Sequence, residues 1–256
     1  MILIKLGGSV ITDKSQYRKF NQEQTARLCK EIANSRKGVM IVHGAGSFGH
    51  VIAKQYQLNK GLQDFGQVPA VAQVQHDTRE LSLKVTEELI KVGIPAVSVP
   101  PGSCFVMENG RLIVKDDEAI KGLMHIGVMP IMFGDVVADR RKGFSICSGD
   151  QAMEVLARKF KPKTILFVSD VDGLYTADPK KDPNAKLIEN VDSSMLDNID
   201  SELMVADVTG GIRGKIEEML SICQDCDECV LINGTVPGRL EAFLRGEDVV
   251  CTRVKV

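Results

Sequence analysis

Short apolar segments alternate with amphipathic helical segments along this chain, and that alternation constrains the fold more than any other feature. The apolar segments are nearly continuous, which is typical of strands that are buried on both faces. The helices between them provide the crossovers that parallel strands need. The pattern therefore predicts an α/β fold, a three-layer αβα sandwich with a mainly parallel central sheet. The predicted strands are Ile2–Leu6, Val39–Val42, Pro95–Val99, Val128–Phe133, Thr164–Val168, Cys229–Ile232 and Val249–Val254.

Local signals predict several helices and one hairpin. Asn21 is followed three positions later by Gln24, a pattern typical of a capping box at a helix start. Asn109-Gly110 stands between two short apolar runs and favours a tight hairpin turn. Further helices are predicted to begin at Pro69 and to span Gly149–Phe160, Ile212–Cys223 and Pro237–Leu244.

The size and composition of the chain fit one domain. It has 256 residues, of which 44% are hydrophobic, enough for a sizeable core. We expect a single domain over residues 1–256, with an acceptor-side lobe at about residues 1–145 and a nucleotide-side lobe at about residues 146–256. The soft boundary between them falls near Gly143–Gly149.

Charge and hydropathy exclude two classes of partner. The net charge is −2, from 32 basic and 34 acidic residues, which lacks the basic excess of a nucleic-acid-binding protein. Apolar runs fall short of the roughly 18 residues that a membrane helix needs. The apolar N-terminal stretch is interrupted early by Lys5, so we expect no signal peptide.

The seven cysteines form no paired framework of the kind found in small secreted proteins, so we expect a reducing, cytoplasmic compartment. Three of them, Cys223, Cys226 and Cys229, have the C-x₂-C-x₂-C spacing that iron–sulfur proteins use. No fourth cysteine ligand or Cys-Pro follows. We interpret these three as ordinary thiols at a helix end and a strand start.

Four polar glycine motifs directly follow predicted strands, after Leu6, Val42, Phe133 and Val168. In open parallel sheets, ligands bind beyond the carboxyl ends of the strands. The motifs therefore predict one ligand site at that edge of the sheet.

The first and last glycine pairs stand beside lysines. Lys5 precedes Gly7-Gly8, and Lys14 follows shortly after. Adjacent glycines let backbone amides approach phosphate oxygens. A fifth motif, Thr209–Lys215, repeats a glycine pair before a helix and puts a lysine in its first turn. Strand-to-helix turns with solvated lysines remain the alternative for both.

The second motif, His43–His50, reads HGAGSFGH. Its glycines match the dinucleotide pattern G-x-G-x-x-G, and Asp64 could serve as the ribose acid. The segment also half-matches a P-loop, but it has His50-Val51 where Lys-Ser/Thr is required. Both partial matches indicate an anion at a helix N-terminus.

The third and fourth motifs are acidic. Asp150 follows Ser148-Gly149 at a predicted helix start, where it could favour the helix dipole or order nearby lysines. Ser169–Tyr175, followed by Asp178-Pro179, could contact a nucleotide or form a plain surface turn.

Taken together and in this order, KLGGS, HGAGSFGH, SGDQA, SDVDGLY and DVTGGIRGK resemble the amino acid kinase superfamily over essentially the whole chain. Within it the chain is most similar to isopentenyl phosphate kinases, on the strength of His50 and the early Lys14. The resemblance implies an amino acid kinase-like fold and phosphorylation of isopentenyl phosphate to isopentenyl diphosphate in isoprenoid biosynthesis. It also implies ATP and Mg²⁺ as cofactors, a small-molecule substrate and a cytoplasmic homodimer.

The resemblance also implies residue roles. Lys5 and Lys215 would hold the β- and γ-phosphates, Lys14 would assist at the γ-phosphate, and His50 would bind the acceptor phosphate. Asp150 would order Lys5 and Lys215. The expected ATP-binding residues are Lys5, Leu6, Gly7, Gly8, Ser9, Gly46, Asp170, Tyr175, Gly210 and Lys215. The expected acceptor-binding residues are Ala45, Gly46, Gly49, His50, Gly134, Phe133 and Ile146.

The expected chemistry agrees with the residues that are present. A phosphate acceptor is already anionic near neutral pH and needs no general base. Its approach to ATP is opposed by charge repulsion of about 4 kcal/mol for unit charges about 4 Å apart at a dielectric near 20. Several cations and amide dipoles are the machinery that this repulsion demands. No side chains form a dedicated metal cage, so Mg²⁺ would be held by phosphates and water.

Three alternatives remain at this point. One is a kinase of the same fold that acts on an amino acid or on a phosphonate such as fosfomycin. A carboxylate acceptor favours an arginine near the second motif, and none lies between Lys37 and Arg79. The others are a non-catalytic nucleotide-binding sensor, for which lysines suited to transfer are superfluous, and an NAD oxidoreductase, which leaves KLGGS and TGGIRGK unexplained.

Overall fold

The computed structural model describes residues 1–114, 117–177, 182, 184–192, 217 and 219–255. Its larger strands are β1 (Ile2–Leu6), β2 (Val39–His43), β3 (Ala96–Ser98), β4 (Val106–Glu108), β5 (Arg111–Ile113), β6 (Met129–Phe133), β7 (Asp135–Asp139), β8 (Gly143–Cys147) and β9 (Thr164–Ser169). They are followed by β10 (Leu174–Tyr175), β11 (Leu187–Ile188), β12 (Asn190–Val191), β13 (Glu228–Asn233) and β14 (Cys251–Val254). The helices with defined ends are α1 (Gly8–Ile11), α2 (Gln22–Ser35), α3 (Gly46–Gln55), α4 (Val68–Lys91), α5 (Pro101–Cys104), α6 (Glu118–His125), α7 (Gly149–Phe160) and α8 (Arg239–Arg245). Short 3₁₀ turns span Leu58–Lys60 and Phe65–Gln67, and residues 219–223 are helical.

In the described part of the chain, eight strands form a central sheet in the order β12-β14-β13-β9-β1-β2-β6-β3. Neighbouring strands run parallel except β13 and β14. The prediction of a mainly parallel sheet is confirmed.

Helices cover both faces of this sheet. Alternate side chains of β1 point to opposite sides, because successive residues of a strand face in opposite directions. Leu3 packs in the cluster that contains the buried face of α7, and Ile4 packs in the cluster that contains α2 and α4. The three-layer αβα arrangement follows from this alternation.

A second, smaller sheet of order β5-β4-β7-β8 lies beside the first. Sequence patterns predicted its β4–β5 hairpin, and Asn109 and Gly110 have the positive φ values of 52° and 81° that such a turn requires. The sequence patterns did not predict β7 or β8. Strand β8 occupies the predicted boundary between the lobes. The division into two lobes stays a prediction.

Asp139 holds the two hairpins of the small sheet together. Its carboxylate accepts hydrogen bonds from the backbone amides of Asn109 and Gly110 at 3.1 and 2.7 Å, and from the Ser145 hydroxyl at 2.7 Å. Burial opposes its ionisation, but these bonds outweigh burial and hold the pKa of Asp139 well below its usual range.

The capping box predicted at Asn21 is wrong. Asn21 does precede α2, but its side chain makes no capping hydrogen bond there. Gln24 instead donates a hydrogen bond from Nε2 to the carbonyl oxygen of Gly234, at 2.5 Å. A tertiary contact has replaced the local one. The predicted helix Ile212–Cys223 lies only partly within the described residues, and Asp178-Pro179 and residues 209–215 lie outside them.

Candidate active site

The four strands that precede the glycine motifs are neighbours in the central sheet, in the order β9-β1-β2-β6. Their ends are also in register. Leu6 pairs with His43 on one side and with Val168 on the other, and His43 pairs with Phe133. The four motifs therefore emerge side by side at one edge of the sheet.

The first two motifs touch through their backbones. A Cβ atom placed on Gly8 would lie 2.6 Å from the amide nitrogen of Gly46, and one on Gly44 would lie 2.7 Å from the amide nitrogen of Gly8. Gly46 also has a φ of +50°, which disfavours other residues. These glycines thus let two strand ends approach each other, and α3 begins within the predicted loop, at Gly46.

Thr12 fastens this junction. Its hydroxyl donates a hydrogen bond to the carbonyl oxygen of Gly8 at 2.6 Å and accepts one from the amide of Ser47 at 3.0 Å. Both of these partners belong to the glycine motifs. The hydroxyl therefore couples the start of α1 to the first turn of α3.

Lys5 forms an ion pair with Asp150, and both side chains are mostly buried. Asp150 stands in the first turn of α7, where Ser148 and Gln151 form a reciprocal capping box. A negative charge there is favoured by the helix dipole. The ammonium group of Lys5 also lies 5.9 Å from the centre of the Phe167 ring. These contacts restrict the long lysine side chain to one direction.

Gly149 leaves room for that side chain. A Cβ atom on Gly149 would lie 3.3 Å from Cε of Lys5 and equally close to the carbonyl oxygen of His43. The SGD sequence therefore has three functions in one turn: a helix cap, a gap for the lysine stem, and a carboxylate for its charge.

A cavity of about 170 Å³ opens beside this pair. One wall is polar and includes Lys5, Asp150, His50 and the backbone of Gly44-Ala45. The other wall is apolar, and its members belong to one hydrophobic cluster: Ala53, Val74, Val136 and Ile146. The cavity thus combines a charged region with an apolar region.

His50 lies on α3 at the mouth of the cavity. Partial burial lowers the pKa of its imidazole, and the nearby charges of Lys14 and Lys5 lower it further. Lys5 and His50 line the same cavity. The positive charge of the lysine and the hydrogen-bonding imidazole together suit an anion.

The fourth motif joins the first. Ser9 donates a hydrogen bond to the carboxylate of Asp170 at 2.8 Å. Asp172 pairs with Arg239 and accepts a hydrogen bond from Asn233 at 3.1 Å, and the hydroxyl of Tyr175 contacts it at 3.3 Å. These contacts build a polar surface at the β9 end of the sheet edge.

Comparison with known proteins identifies relatives that match this chain over nearly its full length. The model of the amino acid kinase family matches residues 1–233. The isopentenyl phosphate kinase of Methanothermobacter thermautotrophicus is 39% identical, and the alignment covers 99% of this chain and 98% of that protein. The isopentenyl phosphate kinase of Thermoplasma acidophilum is 34% identical, and the alignment covers 94% of each chain.

An X-ray structure of an isopentenyl phosphate kinase aligns over the full length of both chains with a TM-score of 0.86 at 35% identity. A product complex of the T. acidophilum enzyme aligns with a TM-score of 0.83 at 30% identity. The chain belongs to the amino acid kinase family. Within that family it stands among the isopentenyl phosphate kinases.

The structure of this family member brings together most of the residues singled out from its sequence. The cavity is lined by Lys5, Gly8, Ala45, Gly49, His50, Gly134, Ile146 and Asp150. Leu6, Gly7, Ser9 and Gly46 lie in the adjoining backbone, and Lys14 is exposed near His50. Asp170 and Tyr175 lie farther along the sheet edge, as described above. Gly210 and Lys215 lie outside the described residues.

Phe133 does not reach the cavity. Its side chain is fully buried and stacks on His43 with ring centres 5.2 Å apart. His43 donates a hydrogen bond from Nδ1 to the Gly44 carbonyl oxygen at 2.9 Å. The two rings fill the core below the site, and Ile146 from β8 supplies the apolar contact instead.

Sequence reasoning missed several cavity residues of this kinase. Thr78 and Asp135 line it, and Asp135 is paired with Arg79 at 3.4 Å. Burial raises the pKa of Asp135, and the charge of Arg79 opposes that rise. Asp135 belongs to the third motif, two residues after the strand that ends at Phe133, but the sequence pattern assigned it no role. Thr78 and Val74 had no signal, because they stand on a helix face that resembles ordinary core.

No helix in the described ranges is both long enough and apolar enough to cross a membrane.

Proposed function

We propose that this protein transfers the γ-phosphoryl group of ATP to isopentenyl phosphate, which yields isopentenyl diphosphate and ADP. The observation that carries the proposal is the cavity with a polar wall at cationic Lys5 and hydrogen-bonding His50 and an apolar wall at Val74 and Ile146. An acceptor with an anionic head and a short hydrocarbon tail fits both walls. The names of the full-length relatives support the same acceptor.

The transfer needs an oriented nucleophile rather than a base. An acceptor phosphate oxygen attacks the γ-phosphorus, the bond to the β–γ bridging oxygen breaks, and its electron pair leaves with ADP. The attacking oxygen is already anionic at neutral pH, since the second pKa of a phosphate monoester is about 6. Charge repulsion between the two phosphates is then the main obstacle.

The lysines of the site would offset this repulsion. Lys5, held by Asp150, would stabilise the charge on the transferring phosphoryl group. Lys14 would assist at the γ-phosphate, and Lys215 would complete the set. The amides of Ala45 and Gly46 would add dipoles where the two phosphates meet, at the N-terminus of α3.

His50 would bind the acceptor phosphate. Its pKa is lowered, so its imidazole is neutral near pH 7 in the free enzyme and can donate one hydrogen bond. A bound dianion would favour the protonated form and strengthen that bond. The residue therefore suits an acceptor that is itself a phosphate.

ATP would lie along the ends of β1 and β9, beside Ser9, Asp170 and Tyr175. The Mg²⁺ that accompanies ATP supplies charge neutralisation when bound. The two cavity carboxylates, Asp135 and Asp150, are already paired with Arg79 and Lys5. This arrangement fits an ion carried by the phosphates and water. The expectation of a cytoplasmic homodimer belongs to the same proposal, and sedimentation tests its oligomeric part.

The test is a panel of acceptors assayed by ADP release: isopentenyl phosphate, fosfomycin, glutamate, acetylglutamate and UMP. We expect kcat/KM for isopentenyl phosphate to exceed the others by roughly a thousandfold, because the cavity pairs a cationic wall with an apolar one. Phosphorus NMR should show a diphosphate product. Faster ADP release with any other acceptor would overturn the proposal.

A further inference from the structure

Three cysteine side chains converge on one point in the described structure, far along the chain from the cavity residues. The Sγ atoms of Cys223, Cys226 and Cys229 all lie within 4.8 Å of one another. Cys223 ends the helical residues 219–223, Cys226 stands in the turn that follows, and Cys229 is the second residue of β13. The cluster thus joins three consecutive local structures.

The separation of the Cys226 and Cys229 sulfur atoms matches that of a metal–thiolate site. The Sγ atoms of Cys226 and Cys229 are 3.7 Å apart. Sulfur atoms arranged tetrahedrally around a zinc ion at about 2.3 Å are separated by about 3.8 Å. A disulfide needs about 2.05 Å instead. The thiols therefore stand near the separation that a shared ion requires and well outside that of a covalent bond.

The three cysteines differ in their exposure to solvent. Cys223 and Cys229 are 1% and 0% exposed, whereas Cys226 is half-buried. Cys226 also contacts the carbonyl oxygen of Glu228 at 3.2 Å, and Cys223 contacts that of Val254 at 3.2 Å. An ion would enter past Cys226 and meet two sulfur atoms already fixed by the core.

We propose that Cys223, Cys226 and Cys229 bind a single thiophilic d¹⁰ cation, either Cu⁺ held by the three thiolates or Zn²⁺ with one exogenous ligand in the fourth position. Sulfur-only donors select such soft ions. The common iron–sulfur clusters use four cysteine ligands, and the described residues bring three together here. The bound ion would link the end of the 219–223 helix to the start of β13.

The first experiment uses the full chain, prepared reduced and free of metal. It is titrated with Cd²⁺, whose thiolate complexes absorb in the ultraviolet, and then with Zn²⁺ or Cu⁺ against a chromophoric chelator. We expect one ion per chain and an affinity at least roughly tenfold weaker in Cys226→Ser. Cys104→Ser is the matched control, because Cys104 is exposed and lies outside the cluster. Equal binding by wild type and Cys226→Ser would overturn the proposal, as would no binding by either.

A second measurement needs no substitution and so does not depend on how a variant folds. Alkylation of the wild-type protein is followed residue by residue with mass spectrometry, with and without Zn²⁺ and with and without Cu⁺. Either ion should protect Cys226 and leave the reaction of Cys104 unchanged. An unchanged alkylation rate at Cys226 with both ions would contradict the site. The relative affinities of the two ions distinguish a three-coordinate site from a four-coordinate one.

Discussion

The ammonium group of Lys5, at the end of β1, pairs with the carboxylate of Asp150 in the first turn of α7. The pair is largely shielded from solvent, with side chains 13% and 19% exposed. Shielding makes such a pair more sensitive to loss of one partner than a surface pair. It also fixes where the positive charge stands before any substrate arrives.

Removal of Lys5 should act on the chemical step. We expect Lys5→Ala to lower kcat roughly a hundredfold to a thousandfold, as removal of a donor to a transition-state charge does elsewhere. Asp150→Asn should lower kcat less, by about tenfold, because the lysine stays but loses its direction. Lys121→Ala, which removes an exposed lysine paired with Asp117, is the control. Steady-state kinetics check this, and an effect on KM alone would refute the role of Lys5. The same prediction holds for Lys215→Ala.

His50 should act on acceptor binding. We expect His50→Ala to raise the KM for isopentenyl phosphate by roughly tenfold to a hundredfold, the cost of a lost hydrogen bond to a charged group. The KM for ATP should change little. His125→Ala is the control, because His125 is exposed at the end of α6. Equal losses for both substrates would contradict the assignment.

The loop that carries Lys14 is anchored by Asp77, a fully buried carboxylate on α4. It accepts hydrogen bonds from the hydroxyl of Tyr17 and from Gln73, the latter at 2.8 Å. Burial raises the pKa of Tyr17 to about 12, and the neighbouring Asp77 contributes to that rise, so Tyr17 stays a donor. The contact holds the loop against the helix.

Tyr17→Phe should therefore reduce activity through Lys14. We expect kcat to fall by roughly threefold to tenfold, the equivalent of one net hydrogen bond. In a Lys14→Ala background the same substitution should have no further effect, because the two residues act as a unit. Tyr56→Phe is the matched control, because Tyr56 is about as exposed as Tyr17 but lies outside the loop that carries Lys14. Additive effects in the double variant would show that Tyr17 acts elsewhere.

Two glycines should respond in opposite directions to the same change. Gly8→Ala should lower the free energy of unfolding by ~2 kcal/mol, since its Cβ would meet the backbone of Gly46. Gly122→Ala should raise it by ~0.5–1 kcal/mol, because Gly122 is helical and has open space around it. Urea unfolding measures both. A neutral Gly8→Ala would show that the two strand ends can separate without cost.

His43 should make the fold sensitive to acid. Burial lowers its pKa to about 4 from 6.5, and the hydrogen bond to Gly44 only partly offsets this. The unfolded state therefore takes up a proton first as the pH falls below 6.5. The free energy of unfolding should drop by up to ~3 kcal/mol as the pH falls from about 6.5 to 4. Above pH 6.5 the stability associated with neutral His43 should be fully present.

Urea titrations at several pH values test that window. His43→Gln should flatten the dependence between pH 6.5 and 4, whereas His125→Gln, at an exposed position, should not. A His43→Gln variant that keeps the full wild-type dependence would place the titration on another group.

Local patterns in the sequence were sufficient for most elements. β1 and α7 have the predicted bounds, because an apolar run and a Ser148-Gly149-Asp150 helix start are signals within a few residues. The position of the motifs after their strands was equally local. The general rule that ligands bind at strand ends then predicted a site at the edge where the four motifs meet.

Contacts between distant residues decided the rest. Strand order puts β9, β1, β2 and β6 side by side, and only then do Gly8 and Gly46 touch and Lys5 meet Asp150. The choice of Ile146 over Phe133 for the apolar wall depends on which side chain stacks on His43. Hydrophobic periodicity is read within one element, whereas these arrangements arise from packing between elements, which no single segment encodes.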